Sequence, residues 1–402
     1  MSLYRLDYKL IRNILKEKFL KILLNPKYIF GVYLIIAVVT AISKYMRGNS
    51  INNYLIFKHV FFNTLEERNL YLQYPDLFQD SNHYGIFFSV LIAPFAMMPD
   101  WLGISLWNLT NTSIFLYAIH KLPFQNPKKA LFALFCLQEY ITSSLYFQFN
   151  VALVALLMLG AIYIYENKET KSVTTTLIGF FVKIYGIVGL SQFFFIKNKW
   201  KYILSGIGIA ILFFAVPMLY TSPSFVLQSY ADWFQSLSEK NGQNQDLTSY
   251  QDISLMGVVR RIAGDPNISN LYFFAFGAPI FFLPYIRIKQ YKNYAYQLMI
   301  LASTLLFVVL FSSSSESPTY IIAVVGVMVW FFLQKERTPL TIGLLLLVII
   351  LTCFSTSDLF PKYVKEHFIH KYSLKAVPCI IVWFRVIYEL LTKDFEKDYT
   401  LN

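Results

Sequence analysis

Long apolar runs separated by short polar breaks constrain this chain more than any other feature of its sequence. Most runs are about 17 to 20 residues long, the length that an α-helix needs to cross a bilayer. A membrane barrel would instead show segments of about ten residues with alternating hydrophobicity, which this sequence lacks. The pattern predicts an all-α, polytopic integral membrane protein with about 10–12 transmembrane helices, short re-entrant helices and extracytoplasmic loops. The clear runs cover residues 28–46, 101–119, 130–147, 150–166, 201–220, 271–287, 295–312, 318–334, 338–355 and 374–391.

The composition excludes the soluble classes of protein. The chain is 56% hydrophobic and 14% charged, whereas soluble proteins are about 45–50% apolar and about 25% charged. Its cysteines, Cys136, Cys353 and Cys379, fall in or beside apolar runs and lack metal-ligand spacing, so we interpret them as small apolar residues. A soluble enzyme, a disordered chain and a disulfide scaffold are therefore excluded.

The net charge of +12 does not indicate nucleic acid as a partner. The lysines and arginines are spread over short loops between apolar runs, as the positive-inside rule produces in an inner-membrane protein. Residues 8–24 have the apolar spacing of a basic amphipathic helix that lies in the cytoplasmic headgroup plane. We expect this cytoplasmic part, residues 1–27, followed by a single transmembrane domain, residues 28–402, in the cell inner (plasma) membrane.

Two apolar stretches do not fit a simple crossing. Residues 84–98 are short and contain a proline, and residues 172–196 are interrupted by a lysine and two glycines. If the first is interfacial or re-entrant and the second is a hairpin of two short helices, most loop lysines and arginines lie on the cytoplasmic side with the N-terminus. The polar loops 47–83 and 221–270 are then extracytoplasmic, and so is the active site.

The loop of residues 221–270 contains an amphipathic helix of its own. Its apolar positions recur at helical spacing with polar residues between them, which predicts an interfacial helix. These positions are Phe225, Val226, Tyr230, Trp233, Phe234 and Leu237.

Lys183 lies inside the predicted apolar hairpin, where an unpaired ammonium is costly. Its side chain either extends to the lipid headgroups or binds a lipid phosphate, a task that suits a compact ammonium. Asp76 and Asp80 stand beside His83, just before the chain re-enters the membrane. They are either solvated loop carboxylates or a general base that meets a lipid-borne substrate.

Four other polar residues fall on the same predicted side. Glu316 follows a run of serines and is either part of a helix cap or a group that orients sugar hydroxyls. Gln148 and Asn150 flank a tight turn and either satisfy helix ends or bind sugar hydroxyls. Arg260 is either a surface charge or part of a phosphate clamp. No soluble-enzyme motif, such as a phosphate-binding glycine loop, is present.

Five short motifs follow one another along the chain. They are Asn53–Phe57 with Tyr74-Pro75, Asp80–Pro99 with Ala93-Pro94-Phe95, Gln148-Phe149-Asn150, Phe181–Tyr185 followed by Lys197–Lys201, and Ser315–Thr319. Their order over about residues 28–335 resembles the GT-C class of membrane glycosyltransferases. The closest likeness is to glycosyltransferase family 87, which includes α-mannosyltransferases that use polyprenyl-phosphate mannose.

The resemblance implies a GT-C-like bundle that moves a hexose, mannose-like, from a polyprenyl-phosphate donor to a lipid or glycan acceptor. It implies an inverting displacement with a carboxylate base and a cation on the leaving phosphate. Lys183 is the natural cation, with His83 or Arg260 assisting. With such cations we expect no metal and no cofactor.

The chain departs from the family pattern at three positions. The family usually has an aspartate near Asn53, and an amide cannot act as a base, so the role falls to Asp80, with Asp76 as second candidate. Tyr84 is followed by glycine where the family has proline or serine, and Glu316 replaces the usual histidines. Asn53, Tyr84 and Glu316 stay candidates for binding substrate.

Two other functions share these features. A transporter or flippase for lipid-linked glycans would have the same spans but would not need a carboxylate in loop 47–83. A glycan polymerase or ligase would use arginines and a histidine in its large outer loop, and loop 221–270 has no histidine.

Overall fold

The computed structural model describes residues 20–48, 50–249 and 251–401. The predicted amphipathic helix 8–24 lies almost entirely outside these residues. The described part is all-α apart from one isolated bridge between Gln334 and Tyr399, which confirms the all-α part of the predicted fold class. The α-helices are α1 Pro26–Met46, α2 Asn52–Leu65, α3 Phe88–Ala96, α4 Asp100–Lys121, α5 Asn126–Leu145, α6 Asn150–Tyr165, α7 Glu169–Val182, α8 Lys199–Ala215, α9 Pro223–Asn244, α10 Leu255–Ala263, α11 Asn270–Phe282, α12 Tyr294–Leu310, α13 Tyr320–Leu333, α14 Pro339–Leu347, α15 Lys362–Val364 and α16 Val377–Thr392.

Short 3-10 and π segments extend or connect these helices. The 3-10 segments are Ile184–Phe195, Val216–Leu219, Leu283–Ile286, Ile288–Gln290, Ser317–Thr319 and Leu374–Ala376, and the π segments are Val348–Phe354 and Lys365–His370. Among the described residues, the helices Pro26–Met46 and Lys199–Leu219 are long and apolar enough to cross a membrane, and the other apolar helices have 10–17 residues. The number of crossings therefore stays a prediction.

Helices α6, α12 and α13 form the centre of the molecule. Every residue of α13 is buried, and nearly every residue of α6 and α12 is buried too. A helix that is apolar on all sides needs such an environment. At the periphery the pattern is reversed, because Tyr202 is the single buried residue of α8. Its apolar side chains, Leu204, Ile207 and Ile211 among them, face outward.

The two ambiguous stretches adopt the predicted local forms. Residues 84–98 contain the nine-residue α3, which packs between α2 and α4 and is too short to span about 30 Å of hydrocarbon. Residues 172–196 form a hairpin in which α7 packs against the 3-10 helix Ile184–Phe195. At the tip, a Cβ added to Gly186 would lie 2.1 Å from the carbonyl carbon of Gly179, so the backbones of the two helices of the hairpin are in contact.

The two loops that were predicted to be extracytoplasmic contain more helix than the sequence analysis predicted. Loop 47–83 includes α2, whose buried Tyr54, Phe57 and Val60 recur every three residues and pack inward. The predicted helix in loop 221–270 exists as α9. Of its apolar positions, Val226 and Trp233 are buried in the protein, and Phe234 is 57% exposed.

Candidate functional site

One cavity of about 400 Å³ gathers most of the predicted site residues. It lies between the segment before α3, the tip of the α7 hairpin, the C-terminal part of α9 and the turn after α12. The predicted residues that line it are Asn53, Asp80, His83, Tyr84, Gln148, Lys183 and Glu316. These residues are up to 263 positions apart in the chain, so only the packing of the helices brings them together.

Lys183 is held on one wall of the cavity by a chain of hydrogen bonds. Its Nζ donates to Asn150 Oδ1 at 2.8 Å and lies 4.8 Å from the centre of the Tyr185 ring. The Asn150 amide donates to Gln148 Oε1 at 2.6 Å, and the Gln148 amide donates to Glu316. Asn150 does not line the cavity itself but orients two residues that do. Burial lowers the pKa of the Lys183 ammonium to about 8, and the Glu316 carboxylate opposes this shift.

Asp80 also lines the cavity and has a different partner. Its Oδ2 is 3.5 Å from Lys240 Nζ on α9, and its Oδ1 accepts the backbone N–H of Ser81 at 2.8 Å. The side chain is 54% exposed, so the carboxylate is open to a substrate. Its φ of 74° is left-handed, a conformation that aspartate and asparagine adopt more readily than most residues.

His83 and Tyr84 connect the segment before α3 to the rest of the site. Burial, followed by the nearby Lys240, lowers the pKa of His83 to about 4, so its ring is neutral at pH 7. The expected assistance of His83 as a second cation stays a prediction, and the residue lines the cavity. Its Nδ1 lies 3.0 Å from Ser236 Oγ, and its carbonyl accepts the Trp233 indole N–H at 2.9 Å. The Tyr84 hydroxyl accepts the N–H of Phe149 at 3.1 Å and ties this segment to the 148–150 turn.

Three predicted residues lie elsewhere or have another task. The Asn53 amide donates to the carbonyl of Tyr146 at 3.0 Å and joins α2 to the end of α5 at the cavity wall. Asp76 is exposed on a turn and does not line the cavity. Arg260 has no exposed surface, and its guanidinium contacts Asp252 at 2.8 Å. The predicted phosphate clamp at Arg260 is therefore not at the cavity, because this charge is already paired in the interior.

The sequence analysis missed a set of polar residues that complete the cavity. They are Lys240, Asn241 and Asn244 of α9, Gln251, Asn270, and Ser312, Ser313 and Ser314 after α12. A signal was present, because residues 240, 241 and 244 continue the helical spacing of the packed face of α9. The analysis ended this helix near residue 237 because the side chains beyond it are no longer apolar.

The charged groups that line the cavity are equal in number. Lys183 and Lys240 are the cations, and Asp80 and Glu316 are the anions. Such a cavity can bind a neutral sugar by its amides and hydroxyls and a weakly charged phosphate by its lysines. Within the described residues, no group of three or more His, Cys, Asp and Glu side chains could hold a metal ion.

Comparison with known proteins identifies the family. The model of glycosyltransferase family 87 matches residues 82–313. The chain belongs to this family. The match includes His83, Tyr84, Gln148 and Lys183, whereas Asp80 lies just before it and Glu316 just after it. No curated protein and no solved structure matches the chain. Membership of family 87 makes the protein a glycosyltransferase, and its apolar helices are compatible with the membrane association of that family.

Proposed function

We propose that this protein is an integral membrane glycosyltransferase that moves a hexose from a polyprenyl phosphate to a hydroxyl acceptor at the extracytoplasmic face. The observation that carries the proposal is one cavity lined by both Lys183 and Asp80, each with its own partner. A glycosyl transfer from a lipid phosphate needs both groups, a cation for the leaving phosphate and a base for the incoming hydroxyl.

The exposed apolar surface supports a location in the membrane. In water, large contiguous apolar surfaces are rare on a folded monomer. Here all residues of α8 except Tyr202 are at least partly exposed although the helix is strongly apolar, and α1 is only partly buried. We propose a multi-pass protein whose N-terminus is cytoplasmic and whose cavity opens to the outer side.

The charge of the cavity supports a lipid monophosphate donor. Because the lysines and carboxylates are equal in number, a donor phosphodiester with one negative charge is easier to accommodate than a nucleotide diphosphate with two. The lysine next to an apolar surface is the better phosphate ligand, since the phosphate carries a hydrocarbon chain.

That lysine is Lys183. It is followed by the 3-10 helix Ile184–Phe195, which has three residues per turn, so Ile184, Ile187 and Leu190 share one face. Ile184 lines the cavity, and the other two side chains are about 40% exposed. We propose that the first isoprene units of the donor lie along this face and place the phosphate at Lys183.

The direction of attack favours Asp80 as the base. In a single displacement the acceptor oxygen attacks the anomeric carbon opposite to the leaving phosphate, so base and phosphate-binding cation belong on different walls. Glu316 is joined to Lys183 by the chain through Gln148 and Asn150, whereas Asp80 is paired with Lys240. Glu316 is then an orienting group on the donor side.

The proposed step is balanced in atoms and charge. Asp80 accepts the proton of the acceptor hydroxyl while the oxygen of that hydroxyl forms a bond to the anomeric carbon. The bond from that carbon to the phosphate oxygen breaks, and polyprenyl phosphate leaves with the electron pair beside Lys183. The anomeric configuration inverts, and no metal or cofactor takes part in this scheme.

Asp80→Asn tests the proposal. The asparagine keeps the volume and tolerates the left-handed backbone, so we expect a folded protein that has lost at least about 10² in transfer rate. Wild type and variant are reconstituted in vesicles with a polyprenyl-phosphate hexose and a cell lipid extract, and products are identified by mass spectrometry.

Asp76→Asn is the matched control, because this carboxylate is exposed and outside the cavity. It should transfer at the wild-type rate. Full activity of Asp80→Asn excludes Asp80 as the base. An intact donor in every sample, over several hexoses, excludes the transferase reaction and favours a transporter of lipid-linked sugars.

A further inference from the structure

The inward face of α9 changes from apolar and small side chains to a lysine and amides where the helix passes over the cavity. Val226, Ser229 and Trp233, in its first three turns, are buried. In its last two turns, Lys240, Asn241 and Asn244 occupy the same face and line the cavity. A helix that only covered the core would continue its apolar stripe, so the exchange marks a surface made for a polar ligand.

The amide groups on this face have fixed directions. Asn241 Oδ1 accepts a hydrogen bond from Asn270 Nδ2 at 2.9 Å and another from the Ser313 hydroxyl. With both acceptor positions of this oxygen used, the Asn241 nitrogen keeps its donors for a ligand. Asn244 is 2% exposed and donates to Ser314 Oγ at 3.1 Å, which leaves its oxygen as an acceptor at the cavity wall.

The buried ion pair of Arg260 and Asp252 fixes the orientation of Asn270. The guanidinium of Arg260 donates to Asn270 Oδ1, to the carbonyl of Ile268 at 2.7 Å and to Asp252 Oδ2 at 2.8 Å. Asn270 is thereby oriented so that its nitrogen points to Asn241. Arg260 is thus a positioning residue for the amides of α9. Its charge is paired with the Asp252 carboxylate in the interior and does not line the cavity.

We infer that Asn241, Asn244 and Asn270 form an acceptor subsite that recognises the hydroxyl groups of a sugar. This inference rests on the proposed function and specifies its acceptor. Fixed neutral donors and acceptors match sugar hydroxyls, which offer both functions without charge. The subsite adjoins the base, since Lys240, the neighbour of Asn241, is paired with Asp80. A sugar bound there would present a hydroxyl to Asp80.

Asn241→Ala tests the subsite by separating the kinetics of acceptor and donor. The protein in vesicles receives a polyprenyl-phosphate hexose as donor and methyl hexopyranosides as acceptors. We expect the KM for the methyl hexoside to rise about fivefold to tenfold, the effect of one lost neutral hydrogen bond, with the donor KM unchanged within about twofold. Asn241→Asp, which keeps the volume but replaces the donating nitrogen by an oxygen, should also raise the KM for the methyl hexoside.

The matched control is Gln235→Ala, on the exposed face of the same helix, where the side chain bonds only to Glu239. It should change neither KM. An unchanged acceptor KM in both Asn241 variants overturns the subsite, and so does an equal rise in the donor KM.

A second measurement separates this inference from the proposed function. If the wild type consumes no donor, saturation-transfer NMR with the methyl hexosides alone decides. A signal in the wild type that is lost in Asn241→Ala retains the sugar subsite while the transfer reaction fails. The absence of a signal in the wild type overturns the subsite.

Discussion

The function of a charged side chain in this protein depends on its surroundings more than on its type. Lys183 and Arg260 are both basic and both lie near polar segments. Lys183 contacts a neutral amide and faces the cavity. Arg260 is fully buried against the Asp252 carboxylate, so it has no charge left for a phosphate. Two carboxylates differ in the same way, since Asp80 lines the cavity and Asp76 does not.

Lys183→Met should weaken the binding of polyprenyl phosphate by about 10-fold to 100-fold, the effect of losing a charged hydrogen-bond donor. The wild-type affinity should also fall as the pH rises through about 8, because burial lowers the pKa of this ammonium and its neutral form has no charge for the phosphate. Binding is measured by titration of the reconstituted protein between pH 6 and pH 9.

Lys171→Met is the control, because this lysine is exposed on α7 and does not line the cavity. It should bind as the wild type does and should keep the pH dependence. If Lys183→Met binds polyprenyl phosphate as tightly as the wild type does, Lys183 is not part of the donor site.

At the scale of elements, the hairpin formed by α7 and the 3-10 helix determines where Lys183 lies. The 14 residues of α7 and the 12 of the 3-10 helix pack against each other, and Lys183 lies at the tip between them. The tip closes because Gly179 and Gly186 have no side chains and their backbones can touch. The position of Lys183 thus depends on these two glycines.

Gly186→Ala should destabilise the protein by about 1–3 kcal/mol, the usual cost of overpacking. The added Cβ would lie 2.1 Å from two backbone atoms, and a backbone cannot move aside as a flexible side chain does. Thermal unfolding in detergent measures the change. Gly208→Ala is the matched control in the interior of α8, where a Cβ meets no atom within 4 Å. It should raise stability by up to about 1 kcal/mol, and an equal loss in both variants would refute the close contact.

At the scale of the whole molecule, apolar surface is distributed in the way expected of a membrane protein. The central helices α12 and α13 are buried by protein, and the peripheral α8 is equally apolar but exposed. A second buried ion pair, between Lys375 and Glu139 at 2.7 Å, joins the segment before α16 to α5. Opposite charges that meet across elements so distant in the chain help to define one packed arrangement.

The proposed orientation predicts which introduced cysteines react in intact cells. The native cysteines are all buried, so they should not react with a membrane-impermeant maleimide. Asp76→Cys should react from outside, and Lys171→Cys should react only after the membrane is permeabilised, because these exposed positions lie on opposite predicted sides. The reverse pattern of labelling would invert the proposed topology.

Local features of the sequence were sufficient to predict the helices. Apolar runs and their polar breaks indicate where helices begin and end, and residues 84–98 and 172–196 took the short forms that their proline, glycines and lysine favoured. The exceptions lie in the outer loops. There the apolar residues of α2 are interrupted by asparagine, lysine and histidine, and α9 continues beyond its apolar part. Amphipathic helices with a polar cavity on one side lose the apolar signal on which the prediction depends.

The sequence by itself determined that this protein is a helical bundle of family 87 type, with Lys183 at a hairpin tip and Asp80 before α3. Only the tertiary structure decided which polar groups share one cavity. Asp80 meets Lys240, and Gln148 meets Glu316, across 160 and 168 residues of chain. It also decided that Arg260 is buried and that Asn241 is not. Such contacts depend on how whole helices pack against each other, and the spacing of residues along one segment contains no information about that packing.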